Sequence, residues 1–130
     1  MSADEASSTI KGMRVLLVED EALVALMLED MLADLGCVVA GTANAVAQAL
    51  SQIAGACDIE AAILDVHLGG ETVYPVADVL LQRGVPFVFS TGFGPTDLAV
   101  RYPDSPLLNK PYPPAALEAA LASLRARGAP

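Results

Sequence analysis

The sequence predicts one α/β domain, built as a doubly wound five-stranded parallel sheet with helices on both faces. Three observations support this fold class. Short apolar segments alternate five times with longer amphipathic segments, and each apolar segment is too short for a helix. The apolar segments are continuous, as in strands that are buried on both faces. No repeat or linker divides the chain, and 130 residues suit a single domain with a substantial core.

The first half of the chain predicts three strands and two helices. They are strand one at 14–18, helix one at 21–35, strand two at 37–43, helix two at 45–53 and strand three at 60–65. Leu23, Leu26 and Met27 keep helical spacing along helix one, so we expect this stripe, and Met31 after it, to fill the core. Gly36 stands where a helix commonly ends in a left-handed residue.

The second half predicts two more strands, separated by helices. After a glycine-bearing loop, VHLGGE, come helix three at 72–83, strand four at 86–90, helix four at 97–101, strand five at 105–110 and helix five at 113–127. Gly84 closes helix three, and basic residues in the last turn of helix five complement its dipole. We expect residues 1–10 to be a mobile N-terminal tail and residues 11–130 to form the domain.

Composition excludes several classes of protein. The net charge is -9 with only 7 basic residues, which argues against direct binding to nucleic acid. No apolar run approaches the roughly 20 residues of a membrane-spanning helix, and the polar, acidic N-terminus is no secretory signal. We therefore expect a cytoplasmic protein without membrane contact. Cys37 and Cys57 could form a disulfide, but two free and largely buried thiols suit a cytosolic protein better.

Polar residues collect at one end of the predicted strands. Strand one ends on Glu19 and Asp20, strand three on Asp65, strand four on Ser90 and Thr91, and strand five on Lys110. Sites in open parallel sheets form outside the carboxyl ends of the strands. If strands one and three are neighbours, three carboxylates share one pocket and repel one another, unless a hard divalent cation such as Mg²⁺ binds them. Lys110 offers a further positive charge.

Each of these residues also has an ordinary structural explanation. Acids are favoured at a helix N-terminus by the dipole, and an isolated aspartate is common in turns. A loop threonine and a surface lysine need no function. The joint occurrence of all four features at one edge of one predicted sheet favours a functional site.

Four motifs resemble those of the receiver domains of two-component signalling. VLLVEDE resembles the acidic-pair motif, AILDV the phosphoacceptor motif, FVFSTG the hydroxyl motif and LNKPY the lysine–proline motif. The resemblance covers residues 14–127, and it implies the flavodoxin-like strand order 2-1-3-4-5. PFVFSTG and LDVHLGGETVYPVADVL further resemble the PFxFATGY subfamily, whose members are often stand-alone receivers. Ser90 and Phe93 replace the usual Ala and Tyr of that subfamily.

The resemblance implies a role for each site residue. Asp65 would be the phosphoacceptor, Thr91 would hydrogen-bond the phosphoryl group, Lys110 would pair with it, and Mg²⁺ would be held by Asp20, by Glu19 through water, by Asp65 and by the backbone carbonyl of His67. The donor would be a sensor histidine kinase or a histidine phosphotransferase. The downstream partner is unknown, and the domain would assist its own phosphorylation and dephosphorylation without being an enzyme in the usual sense.

Some features depart from the receiver pattern or leave alternatives open. Leu107 stands where most receivers carry an aromatic switch residue, so we expect the segment from Gly92 to Pro106 to order on phosphorylation instead. An inert surface loop is the alternative. The His67 ring could act as a proton shuttle, although a role for its backbone alone is the simpler interpretation. A pseudo-receiver that binds partners without phosphorylation, or a small flavodoxin-like phosphatase, are the alternative functions. Against the phosphatase, the chain has no P-loop and no second acid after Asp65.

Overall fold

The computed structural model of the protein describes residues 9–55, 58–92 and 97–128. The strands are β1 (Arg14–Val18), β2 (Val38–Ala43), β3 (Ala61–Asp65), β4 (His67–Leu68), β5 (Glu71–Thr72), β6 (Phe87–Thr91) and β7 (Leu107–Asn109). The helices are α1 (Ala22–Asp34), α2 (Val46–Gly55), α3 (Tyr74–Gln82), α4 (Leu98–Arg101) and α5 (Pro114–Gly128). The predicted succession of five main strands and five helices is confirmed.

Five strands form one parallel sheet in the order β2-β1-β3-β6-β7. This is the predicted order 2-1-3-4-5, once the two short strands β4 and β5 are set aside. The order reverses between β1 and β3, which places the ends of these two strands side by side. Val18 is the register partner of Leu64, and Asp65 is the partner of Ser90 on β6. The sheet therefore brings the acidic strand ends to its topological switch point.

Alternate side chains of the central strands feed two separate cores. Leu16, Leu64 and Phe89 pack on one face against α2 and α3. Leu17 and Ile63 pack on the other face against α1 and α5. Because both faces are covered, the strands read as continuous apolar segments rather than alternating ones.

The N-terminal boundary differs in detail from the expected tail at 1–10. Residues 1–8 lie outside the described residues, whereas Ile10 is fully buried against the α1 and α5 side of the sheet. Arg125 Nη1 donates to the Thr9 carbonyl at 2.8 Å and holds this segment to α5. Cys37 is a free, buried thiol, as predicted, while Cys57 lies outside the described residues. Within the described ranges, no helix combines the length and apolar character needed to cross a membrane.

A small hairpin follows β3 where the sequence analysis expected only a loop. His67 pairs with Thr72 and Leu68 with Glu71 in antiparallel fashion. The two residues between the strands, Gly69 and Gly70, have φ of 51° and 88°, the left-handed region that a tight hairpin turn requires. Helix α3 consequently begins at Tyr74, two residues later than expected from the pattern.

The packing of α1 corrects the expected apolar stripe. Leu28 and Leu32 are the buried residues of this helix. Leu23, Leu26 and Met27 are instead 76%, 57% and 64% exposed. Because α1 is apolar on more than one side, spacing alone did not identify the face that meets the sheet. The prediction that Met27 fills the core is therefore wrong, whereas Met31 does pack against the core.

We expect Leu32→Ala to lower the free energy of unfolding by about 2–5 kcal/mol, since it opens a cavity in the core between α1 and the sheet. Leu26→Ala is the matched control on the same helix. It should change stability by less than about 0.5 kcal/mol, because the side chain is already largely in water. Urea unfolding followed by circular dichroism measures both variants, and equal losses would contradict this orientation of α1.

Candidate functional site

Three carboxylates from two neighbouring strand ends meet in one pocket. Glu19 and Asp20 follow β1, and Asp65 is the last residue of β3. Each offers an oxygen within 4.8 Å of an oxygen from the other two. Glu19 and Asp65 are buried, whereas Asp20 faces solvent. An all-oxygen donor set with one solvent-facing member suits a hard cation such as Mg²⁺, which keeps several waters when it binds.

Lys110 lies beside the two buried acids. Its ammonium Nζ is 2.7 Å from Glu19 Oε1 and 3.4 Å from Asp65 Oδ2. The Lys110 backbone N–H donates to the Thr91 carbonyl at 2.7 Å, which ties the residue to the end of β6. The peptide bond from Lys110 to Pro111 is cis. One ammonium group therefore compensates two carboxylates.

Backbone N–H groups donate hydrogen bonds to further carboxylate oxygens of the cluster. The Gly69 N–H, in the turn of the β4–β5 hairpin, donates to Asp20 Oδ2 at 2.9 Å. The Glu21 N–H donates to Glu19 Oε2 at 3.1 Å. The hairpin thus has a local purpose, since it places a donor over the exposed acid of the cluster.

The charges in the pocket alter the proton affinity of Asp65. Burial, together with a hydrogen bond and the charge of Glu19, raises the pKa of Asp65 to about 7, although Lys110 and the His67 N–H act in the opposite direction. Burial opposes the charge on Lys110, but its contacts with Glu19 and Asp65 raise the pKa of the ammonium group overall. Lys110 therefore stays charged, while burial and the charge of Glu19 both disfavour the ionised form of Asp65.

The remaining predicted site residues lie around the same edge. Thr91 is buried at the end of β6, next along the chain to Ser90. His67 is exposed in β4, and its N–H lies 3.4 Å from Asp65 Oδ1. The structure therefore brings every predicted site residue to the edge where the carboxylates meet, while the roles expected for them remain predictions.

Sequence reasoning missed one contact near the site. Ser90 Oγ and the Tyr112 hydroxyl are 3.0 Å apart, across 22 residues of sequence. The sequence analysis placed Ser90 at the end of strand four and noted it as a departure from a subfamily pattern, but predicted no partner for it. The alternation of side chains along the strands was the available signal. Ser90 lies on the same face of β6 as Val88, and Asp65 lies on the same face of β3 as Ile63, so both project to the same side of the sheet.

An aromatic cluster occupies the sheet face near Leu107, where most receivers carry the aromatic switch residue. Tyr102, directly after α4, is buried with its ring centroid 5.2 Å from that of Phe89. Its hydroxyl donates to Asp78 Oδ1 at 2.8 Å, and Tyr74 donates from α3 to Asp97 Oδ1 at 2.5 Å. Burial and Asp78 raise the pKa of Tyr102 to about 12, so this hydroxyl keeps its proton. Of the segment expected to order on phosphorylation, residues 93–96 lie outside the described residues.

No protein-family model and no curated protein matches the chain. Among solved structures, SdrG from Sphingomonas melonis Fr1 is 45% identical, with 87% of this chain and 96% of SdrG covered and a TM-score of 0.77. A response regulator receiver protein from Sinorhizobium medicae WSM419 is 26% identical, with 91% and 98% covered and a TM-score of 0.82. The chain belongs to the response-regulator receiver domains.

A longer protein also contains this fold. The response regulator PhyR from Brucella abortus is 26% identical to the receiver with a TM-score of 0.81, and the match covers 96% of the receiver but 52% of PhyR. The receiver therefore spans about half of that relative. In the chain described here, the acidic pocket, Lys110 and Thr91 lie at the sheet edge where the four motifs predicted a site.

We expect Lys110→Met to lower the free energy of unfolding by about 1–3 kcal/mol in EDTA, because the buried Glu19 loses its counter-charge. The loss stays below that of a fully buried pair since the Lys110 side chain is 20% exposed. Lys11→Met, at an exposed lysine remote from the pocket, is the control and should change stability by less than about 0.5 kcal/mol. Similar small losses in both variants, measured by urea unfolding, would show that the ion pair carries no stability.

Proposed function

We propose that this receiver accepts a phosphoryl group on Asp65 from a phosphohistidine of a sensor histidine kinase or a histidine phosphotransferase. It then signals through contact with a downstream protein, or holds the phosphoryl group as a sink. The observation that carries the proposal is the position of Lys110 Nζ, 3.4 Å from Asp65 Oδ2 inside a cluster of three carboxylates. Such a cluster offers a nucleophilic oxygen and a cation for the incoming anion at the same place.

The proposed transfer needs positioning and charge compensation more than acid–base chemistry. An oxygen of the ionised Asp65 bonds to phosphorus while the P–N bond to the donor histidine breaks, and its electron pair stays on the imidazole nitrogen. Lys110 and the Thr91 hydroxyl would bind the oxygens of the transferred group. Because Lys110 then faces a phosphoryl group as well as Glu19, its contacts in the pocket change on phosphorylation.

Mg²⁺ completes the proposed site. Glu19 (through water), Asp20, Asp65 and the His67 carbonyl would hold it, and its charge would relieve the repulsion among the carboxylates and attract the phosphoryl oxygens. The raised pKa of Asp65 supports this requirement, since the nucleophile must be ionised and burial, together with Glu19, opposes ionisation.

Similar structures support a phosphorylation switch. SdrG has also been solved in a form described as its BeF3-activated conformation, 45% identical with 86% of this chain and 95% of that chain covered and a TM-score of 0.71. We infer that this receiver responds to the same ion. The assignment to the PFxFATGY subfamily and the cytoplasmic location are further parts of the proposal.

Two other functions receive less support. A pseudo-receiver would not need Lys110 next to Asp65 in a pocket that also contains Asp20 and Thr91. A phosphatase would need a second group to activate water at Asp65, and the residue two positions later is His67, whose exposed ring lies in β4. The phosphoacceptor hypothesis gives a role to the three clustered carboxylates, to Thr91 and to Lys110.

We propose further that the phosphodonor protein docks on the exposed side of α1. Leu23, Leu26 and Met27 form an apolar surface there, directly after the acids of the pocket. A groove of about 140 Å³ between this helix and the Lys110–Tyr112 loop continues the surface. A partner seated on it would hold its phosphohistidine next to Asp65, and the exposed apolar area would supply binding energy.

The phosphoacceptor is tested by incubating the protein with acetyl phosphate and Mg²⁺ and measuring intact mass. The wild type should gain one phosphoryl group, and Asp65→Asn should gain none because it has no carboxylate nucleophile. EDTA should abolish labelling, and Asp20→Ala should slow it by at least about tenfold through loss of a metal ligand. Asp58→Asn, at an exposed aspartate paired with Arg14, is the matched control and should label like the wild type.

Wild-type labelling that survives in Asp65→Asn would assign the site elsewhere. A wild type that takes up no phosphoryl group and binds no BeF3 would favour the pseudo-receiver.

Docking on α1 is tested with Leu23→Asp, which should leave labelling by acetyl phosphate unchanged, because this side chain is 76% exposed and does not line the pocket beside Glu19 and Asp20. Transfer from a phosphorylated histidine kinase should fall by at least about tenfold, since a charge replaces a buried apolar contact. Leu81→Asp, at an exposed leucine on α3, is the control. Equal transfer to all three proteins would sink this docking surface.

A further inference from the structure

Ser90 and Tyr112 form a hydrogen bond beneath the acidic pocket. The two hydroxyl oxygens are 3.0 Å apart. Ser90 is only 1% exposed, and the Tyr112 ring packs with the core between α1, α5 and the sheet. Burial raises the pKa of Tyr112, so its hydroxyl carries a proton and can donate. A buried serine without this partner would lose one hydrogen bond in a place that water does not reach.

Ser90 lies on the same face of the sheet as the phosphoacceptor. It is the register partner of Asp65, and partners in neighbouring parallel strands project to the same side. Glu19, directly after β1, projects to the same side, because it stands two residues after Leu17. The row Glu19, Asp65, Ser90 therefore crosses three adjacent strands, and Tyr112 completes it on the side away from β1.

Two consecutive residues of β6 hold the loop that carries Lys110. The Thr91 carbonyl accepts the Lys110 N–H, and Ser90 Oγ bonds the hydroxyl of Tyr112, two residues further along. Lys110 is thus fixed on both sides of its own Cα. From that backbone position its side chain places the ammonium 2.7 Å from Glu19 Oε1 and 3.4 Å from Asp65 Oδ2.

We propose that Tyr112, held by Ser90, is a positioning residue for Lys110. The inference rests on the proposed phosphotransfer to Asp65 and names a residue that acts on it indirectly. The hydroxyl of Tyr112 bonds Ser90, so its proposed effect on the phosphoryl group passes through Lys110. Its hydroxyl fixes the loop from Lys110 to Tyr112, and the fixed loop keeps the ammonium poised for the incoming phosphoryl group.

The alternative is that Tyr112 only fills space. Its ring lines the groove beside Met31 and Leu28, where any aromatic residue would pack. Tyr112→Phe separates the two roles, because it keeps the ring and removes only the hydroxyl. Ser90→Ala removes the same hydrogen bond from the other side. If the bond positions Lys110, the two changes affect one interaction and their effects do not multiply.

The experiment measures labelling by acetyl phosphate in saturating Mg²⁺ for the wild type, Tyr112→Phe, Ser90→Ala and the double variant. We expect each single variant to lower the maximal rate by about fivefold, the worth of one neutral hydrogen bond, with the half-saturating donor concentration unchanged. The double variant should equal the singles. Tyr74→Phe, which loses a tyrosine hydroxyl bonded to Asp97 on the far side of the sheet, is the control and should retain the wild-type rate.

Unchanged rates in both single variants would overturn the inference, and so would a double variant about twenty-five times slower, since independent effects multiply. Amide NMR spectra of the free protein, without Mg²⁺ or donor, provide a second measurement. The Lys110 resonance should move in Tyr112→Phe and Ser90→Ala but not in Tyr74→Phe. If the wild type takes up no phosphoryl group, the proposed function is wrong. The NMR result then decides the inference: a Lys110 resonance that moves in Tyr112→Phe and Ser90→Ala supports it, and one that does not move contradicts it.

Discussion

Two buried carboxylates from neighbouring strands share one ammonium group, and the architecture around them follows from that need. Glu19 and Asp65 are both less than a tenth exposed, and Lys110 lies within 3.4 Å of each. Carboxylates this close raise one another's proton affinity unless a cation compensates them. Lys110 directly follows β7, which lies at the opposite edge from β2, so the compensation depends on the sheet holding its edge strand in register.

The edge strand depends in turn on β6. Strand β7 has three residues, and all of its ladder contacts are with β6. The hydrogen bonds from Lys110 to Thr91 and between Tyr112 and Ser90 extend this attachment past the end of the strand. The residues that would receive the phosphoryl group, bind it and position its counter-charge therefore share one rigid support, which is the condition for precise placement.

The site was more predictable than the contacts that support it. Glu19, Asp65 and Lys110 could be brought together from the sequence because the carboxyl ends of parallel strands share one edge, whatever the packing above them. The packed face of α1 could not be predicted, because its leucines and methionines surround the helix. The β4–β5 hairpin also escaped, since two-residue strands have no periodicity to detect. The Ser90–Tyr112 hydrogen bond depends both on the face of β6 to which Ser90 points and on the path of the loop that carries Tyr112. No sequence motif specifies this combination.

The exposed leucines and methionine of α1 have a consequence for how the protein behaves in concentrated solution. A contiguous apolar surface of this kind promotes association between copies. The net charge of -9 opposes that association, because every copy carries the same sign. At 0.1 M, salt largely screens charge repulsion over distances beyond about 10 Å but leaves the apolar attraction intact. We therefore expect the solubility of this domain to fall as ionic strength rises or as the pH approaches the isoelectric point near 4.2.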